Sequence, residues 1–149
     1  MEVQSTDIKI KVKKLNEKAI LPTRGSDYAA GYDLYALEGA VIKAHETVKI
    51  GTGLAFELPN ETFAAIFARS GLATKQGLRP ANCVGICDSD YRGEYIVALH
   101  NDTDEDKTIN AGERIAQMVL MPYISMIFEE VEELEESVRG AGGFGSTGE

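Results

Sequence analysis

Asp88 and Asp90 stand two residues apart in the run Ile86-Cys87-Asp88-Ser89-Asp90-Tyr91-Arg92-Gly93. In an extended segment that spacing puts both carboxylates on one face. A carboxylate beside a phosphate can take a proton from water and so activate it for attack. The plainer alternative is a hairpin, because Gly85 and Gly93 bracket the run and tight turns carry Asp for local hydrogen bonds. Arg69-Ser70-Gly71 lines up a cation, a hydroxyl and bare backbone, each able to bind a phosphate oxygen. Asp33, in Ala30-Gly31-Tyr32-Asp33-Leu34-Tyr35-Ala36, is a third acid, whose ordinary reading is a satisfied turn aspartate. Gln117 interrupts an apolar stretch, so it is either an edge residue or a ligand contact. No Ser–His pairing or metal-ligand cluster stands out. Together these residues suggest a site for a phosphorylated small molecule.

The elements that must hold them repeat with a period of two. Ile8-Lys9-Ile10-Lys11-Val12-Lys13 alternates as a half-buried strand does. Residues 41–43, 47–50, 54–58, 62–67, 95–99 and 115–120 read as further short strands. Pro22, Gly25, Gly39, Gly51, Gly53, Pro59-Asn60, Asn101-Asp102 and Gly112 punctuate them as turns. Many short strands at this spacing predict a sandwich, a barrel or a jelly roll. One short helix fits: Ser70 as cap, residues 72–76 as body and Gly77 as stop. Its start would present free backbone N–H groups to an anion.

Residues 129–136 hold six glutamates and read as a short helix or an extended, water-facing connector. Arg139-Gly140-Ala141-Gly142-Gly143-Phe144-Gly145-Ser146-Thr147-Gly148 follows, with five glycines in ten residues. Such a tail is too flexible to pack alone. It looks like a phosphate-cradling loop, but it lacks the lysine and the following helix of a P-loop. It is either a disordered end or a flap that orders on a ligand.

The chain has 149 residues, the size of one domain, and 44% hydrophobic residues, enough for a core. A formal net charge of −9 argues against a nucleic-acid polymer as partner, since polymer binding rests on Lys and Arg. Cys83 and Cys87 are expected to be plain buried cysteines. A zinc site would have only His45 and His100 to add to them. No signal peptide or membrane-spanning run is evident, so a soluble, cytoplasmic protein with no membrane partner is expected.

Five segments in order carry a family resemblance. They are Ala30-Gly31-Tyr32-Asp33-Leu34, Ala68-Arg69-Ser70-Gly71-Leu72-Ala73, Asn82 through Glu94, Gly112-Glu113-Arg114-Ile115-Ala116-Gln117-Met118, and the glycine-rich tail. In all five the chain resembles the trimeric dUTP diphosphatases (dUTPases), from about residue 8 to residue 148. The resemblance implies an all-β, jelly-roll-like (β-clip) subunit with one short helix and a flexible Gly-rich C-terminal tail. Residues 1–128 would form the β domain and 129–149 an acidic connector and arm that closes on the active site. It implies a homotrimer with shared sites, and hydrolysis of dUTP to dUMP and pyrophosphate by water attack on the α-phosphorus, with Mg2+. Asp88 would deprotonate the water and touch the sugar 3′-hydroxyl, which leaves Asp90 a structural role. Tyr91 would pack on the deoxyribose and leave no room for a 2′-hydroxyl. Backbone near Asn82, Gly85 and Ile86 would read the uracil edge. Arg69, Ser70 and Gly71 would hold phosphates, with Gln117 nearby, and Asp33 would act on magnesium through water only. Phe144 and the adjoining Gly145 would close over uracil, with the Phe144 ring stacked on it, while Arg139, Ser146 and Thr147 would hold the γ-phosphate. Magnesium prefers octahedral oxygen ligands and keeps several waters, which suits a triphosphate.

Two features depart from relatives. Cys87 adjoins the catalytic aspartate, where other residue types would serve as well, and Gly71 stands where some relatives carry a second serine. The nearest rival is dCTP deaminase, which shares the fold and the early motifs. Its catalytic glutamate would fall on Ala98, which cannot shuttle a proton. A nucleotide-dependent regulatory protein is the rival from another class, and intact Asp88, Arg139 and Phe144 favour catalysis over it.

Overall fold

Ile96–Asn101 illustrates how the sequence builds strands: Val97, Leu99 and Asn101 are buried, and the residues between them are more open. Successive side chains of a strand face opposite sides, so this alternation gives one inner and one outer face. The computed structural model describes residues 7–145. Its elements are β1 (Lys11–Lys14), β2 (Tyr32–Tyr35), β3 (Ala40–Ile42), β4 (Thr47–Gly51), β5 (Leu54–Glu57), β6 (Thr62–Phe67), α1 (Ser70–Gln76), β7 (Leu78–Pro80), β8 (Gly85–Asp88), β9 (Ile96–Asn101), β10 (Lys107–Ile109) and β11 (Arg114–Pro122).

The strands form an all-β, jelly-roll-like fold of antiparallel ladders. A four-stranded sheet runs β2-β11-β6-β8 and a three-stranded one β4-β9-β7, while β1 pairs β5 and β3 pairs β10. Their inner faces meet in one apolar cluster that includes Leu34, Ile42, Leu54, Leu78, Leu99 and Ile115. Each such side chain contributes about 1.5–3 kcal/mol by leaving water. Besides Thr52, Asn101 is the buried polar side chain among the described residues. Its Nδ2 donates to Ile42 O (2.9 Å) and Glu105 O (2.7 Å), and its Oδ1 accepts from Thr103 N (2.9 Å). It thereby ties β9 to β3 and shapes the acidic turn into β10.

The helix starts one residue earlier than expected. Arg69 is the N-cap, with ψ 127°, and Ser70 is already helical; no side-chain cap bond is made. Ser70 O instead accepts from Thr74 Oγ1 at 2.6 Å. Gly77 ends the helix at φ 67°, and a Cβ there would also collide with Thr103, so glycine is required twice over. Strand β1 begins at Lys11 rather than Ile8, and β9 runs from Ile96 to Asn101 rather than 95–99. Leu78–Pro80 is a strand despite its proline, because β7 is the outer strand of its sheet and needs no donor on the open side. Cys83 is exposed and Cys87 half-buried, so neither is the fully buried cysteine expected; both are free. Residues 129–136 form neither helix nor strand and are exposed. No helix among the described residues is long and apolar enough to cross a membrane.

Replacing Asn101 with Leu would strand the carbonyls of Ile42 and Glu105 without their donor. We expect a loss of about 1–3 kcal/mol of unfolding free energy, read as a lower denaturant midpoint.

Candidate active site

Strand β8 is the outer strand of its sheet, paired with β6 through Phe63↔Asp88, Ala65↔Ile86 and Ile66↔Gly85. Among the described residues its other edge has no ladder partner, which leaves backbone donors and acceptors for a ligand. A pocket opens on this strand, lined by Gly85, Ile86, Asp88 and Tyr91 together with Asn82 and Ala98. Gly85 lets β8 lie close to β6, since a Cβ there would sit 3.1 Å from Ile66 Cβ. After Asp88 the chain turns, and Tyr91 N donates to Asp88 O (3.1 Å). The turn folds Tyr91 back so that its hydroxyl donates to Glu94 O (3.0 Å). Asp90 falls in the turn beyond the strand, so the two aspartates do not share a strand face.

Beneath the pocket lies Tyr95, 2% exposed. Its hydroxyl is buried with no hydrogen-bond partner among the described residues. The Cys87 thiol is electrostatically coupled to it without the geometry of a full bond. Burial pushes the Tyr95 hydroxyl far above the usual phenol range, and burial likewise raises Cys87.

A second cluster sits at the opposite edge of the same sheet. Asp33, on β2, accepts from Arg69 Nε at 2.9 Å through Oδ1, and its Oδ2 lies 3.7 Å from Arg114 Nη1. A β-bulge between Arg114 and Ala116 adjoins this contact. Gln117 Nε2 donates to Ala68 O (2.9 Å), which fixes the backbone leading into Arg69. Gly31 packs against the Gln117 amide, and any Cβ there would collide with it. Ser70 and Gly71 are exposed, and nothing stands near the missing Gly71 side chain. A cleft beside them is also lined by Arg69, Lys75 and Arg114, three cations in a chain of net charge −9. Among the described residues no group of three or more His, Cys, Asp or Glu side chains could form a metal cage. The donor set therefore suits an ion held chiefly by phosphate oxygens and water.

The structure brings Asn82, Gly85, Ile86, Asp88 and Tyr91 together, and separately Asp33, Arg69, Ser70, Gly71 and Gln117. It does not bring the two groups to one place. Asp33 and Asp88 lie on opposite outer strands, three strand spacings or about 14 Å apart across the sheet. They are also offset along β6 from Phe67 to Phe63, about 13 Å more. Within the described part of the tail, Arg139 Nε donates to Gly142 O (2.8 Å), and Phe144 and Gly145 are exposed rather than packed on either cluster. Ser146 and Thr147 lie outside the described residues. Arg114, Lys75, Glu94 and Tyr95 were assigned no role from the sequence. Arg114 and Glu94 stand within the quoted motifs, yet nothing in their spacing shows which contacts they make.

An all-β subunit with an acid-bearing pocket on one sheet edge and a cationic cradle on the other has the make-up of a nucleotide hydrolase. The sequence model of the dUTPase family matches residues 17–148. A deoxyuridine 5′-triphosphate nucleotidohydrolase of Nautilia profundicola is 49% identical over 141 residues, covering 95% of this chain and 99% of that protein. The corresponding protein of Paramecium bursaria Chlorella virus 1 is 46% identical over 137 residues, 92% and 96% of the two chains. Among solved structures, the dUTPase of Staphylococcus bacteriophage 80alpha with dUPNHPP superposes with a TM-score of 0.87 at 30% identity, covering 94% of this chain and 98% of that one. The chain belongs to the dUTPase family, the deoxyuridine 5′-triphosphate nucleotidohydrolases.

Exposure separates the two thiols, and burial further holds Cys87 in its protonated form. A maleimide at neutral pH should label Cys83 quickly, while Cys87, half-buried and held as the thiol, should react slowly. Peptide mass spectrometry over time checks this; equal rates would contradict the burial of Cys87.

Proposed function

We propose that this chain hydrolyses dUTP to dUMP and pyrophosphate, with uracil and deoxyribose in the pocket on β8. The observation that carries this reading is the meeting of Asp88 and Tyr91 with the unpaired edge of β8 in one cleft. Uracil would lie along that edge and exchange strand-like hydrogen bonds with backbone around Asn82, Gly85 and Ile86. A methyl at the thymine position would be excluded by shape, and cytosine would leave a donor unpaired. The Tyr91 ring would pack on the sugar and close the space that a 2′-hydroxyl needs.

Asp88 would accept a proton from the attacking water. Water oxygen would bond to the α-phosphorus, and the bond from that phosphorus to the α,β-bridging oxygen would break, with the electron pair leaving on pyrophosphate. Arg69, the Ser70 hydroxyl and the Gly71 N–H would hold the phosphate oxygens, and Gln117 would fix the strand end beneath them. Magnesium, held by phosphate oxygens and water with Asp33 reaching it through water, would supply positive charge against the leaving group. Within this chain Asp33 also orients Arg69.

The separation of the two clusters supports shared sites. A single dUTP with its α-phosphorus at Asp88 cannot reach Arg69 of the same chain, so a second copy would have to supply the cradle. The arm after β11 supports the same reading. Ile124, Ile127 and Phe128 are exposed on chain outside any helix or strand, and apolar side chains so displayed call for a neighbouring surface. We infer a homotrimer in which the arm, from about residue 129, carries Arg139, Phe144, Gly145, Ser146 and Thr147 to a site built by other subunits. There Phe144 would stack on uracil, and Arg139, Ser146 and Thr147 would hold the γ-phosphate. Such a flap excludes bulk water and fixes the geometry of attack.

Purified protein with magnesium should release pyrophosphate from dUTP far faster than from dCTP, dTTP or UTP; comparable turnover of all four would sink the assignment. Asp88→Asn should still bind nucleotide while turnover drops by roughly a hundredfold or more. Removing the chain from Arg139 onward should abolish turnover yet leave the oligomer intact by sedimentation. Full activity in that truncated protein would remove the arm from the site.

A further inference from the structure

The Tyr91 ring stands on a built platform, and each part of it has a visible cause. The ring lies back across Gly93, where any Cβ would collide with its hydroxyl end. Its hydroxyl is tied to Glu94 O at 3.0 Å. Its face stacks on Tyr95, with centroids 6.2 Å apart and planes 27° apart. Tyr95 rests in turn on Phe56 of β5, at 4.5 Å between centroids.

The backbone of Glu94 and Tyr95 is clamped by the turn from β4 to β5. Gly53 N donates to the Glu94 carboxylate (2.9 Å), which packs on Gly51 so closely that a Cβ there would collide with it. Thr52 donates to Tyr95 O from both N (3.1 Å) and Oγ1 (2.7 Å), and Tyr95 N donates to Leu54 O (2.8 Å). A pocket residue that needed only bulk would not require this support. The Tyr95 hydroxyl is buried beside the Cys87 thiol and has no geometric hydrogen-bond partner among the described residues, so the contacts that hold the side chain are those of its ring.

We propose that Tyr95 is a positioning residue for sugar selection: it holds the Tyr91 ring at the height that excludes a ribonucleotide, and Gly93 and Glu94 fix the ring's direction. The proposal rests on the reading of Tyr91 as the sugar-facing ring. A hydroxyl is excluded only by a surface that does not yield. A ring free to rotate by one rotamer would admit UTP at little cost to dUTP. Loss of the platform should therefore appear as lost discrimination before it appears as lost turnover.

The test is the ratio of kcat/KM for dUTP to that for UTP, measured on full-length protein with magnesium. Tyr95→Val should lower the ratio by about tenfold or more, whereas Tyr95→Phe, which keeps the ring, should retain it. Gly93→Ala displaces the Tyr91 ring from the outside without opening the core, and it should lower the ratio as well. This second variant carries the test if Tyr95→Val does not fold, as judged by circular dichroism. Tyr91→Ala, measured in parallel, separates the two levels. If it lowers the ratio while Tyr95→Val and Gly93→Ala leave it intact, the positioning role is overturned and the reading of Tyr91 stands. If Tyr91→Ala leaves the ratio intact, that reading fails and the proposal with it.

Discussion

Six residue pairs join Phe67 through Thr62 of β6 to Gln117 through Pro122 of β11, and both halves of the site hang from that ladder. At one end Gln117 sits beside Phe67, next to the backbone that delivers Arg69. At the other, Phe63 faces Asp88 across the pairing with β8. Strand spacing is fixed by backbone hydrogen bonding, so the distance between the halves cannot be adjusted by side chains. In the proposed homotrimer each site would be completed by material from another copy, and the symmetry of that assembly would turn one ladder into several equivalent sites.

Charge follows the same division. The chain carries a formal −9, yet Arg69, Lys75 and Arg114 line one cleft. Glu113 also lines that cleft, and Asp33 is held by Arg69 with Arg114 close by, so three cations face two carboxylates and a small positive excess remains. An acidic exterior discourages polyanions over the whole surface, and a local cationic cleft still attracts one short polyanion. The pairing of Asp33 with Arg69 would be compatible with the proposed phosphate cradle, because the carboxylate engages Nε and leaves the other guanidinium N–H groups for a ligand.

Much of the fold was legible because the signal was the strand period itself. Residues 62–67 match β6 without correction, and 47–50 and 54–58 each match a strand to within a residue at one end. Signals failed where a local rule competed with tertiary context. Pro80 masked β7, which tolerates proline only because it is an outer strand. Tyr32–Tyr35 and Lys107–Ile109 are too short to show a period. Ser70 looked like a cap by residue type, but the chain enters the helix from the end of β6, and that path makes Arg69 the boundary residue. Site residues were legible through the five segments in order, whereas which of them share a cleft was not, because strand order is absent from any single segment. Glu94 and Tyr95 went unmarked for a similar reason. Their partners at Phe56 and Gly53 are some forty residues away, and only the folded turn between β4 and β5 brings them together.

The two parts of the site differ in how they are made, and the difference suits different tasks. Around Tyr91 the backbone is held at several points and the rings are stacked, as the proposed rejection of an extra hydroxyl would demand. A selective wall must be stiff, because a wall that yields by an ångström admits the wrong sugar. The segment from Arg139 is the reverse, with glycines at 140, 142, 143 and 145 and positive φ at Gly140, Phe144 and Gly145. Such a chain gains order chiefly by contact, so in the proposed closing arm its contribution would depend on whether a nucleotide already fills the pocket. Selection would then precede closure. A nucleotide with the wrong base or sugar would be refused by the stiff half before the glycine-rich half had anything to fold upon, and hydrolysis would begin only with both in place.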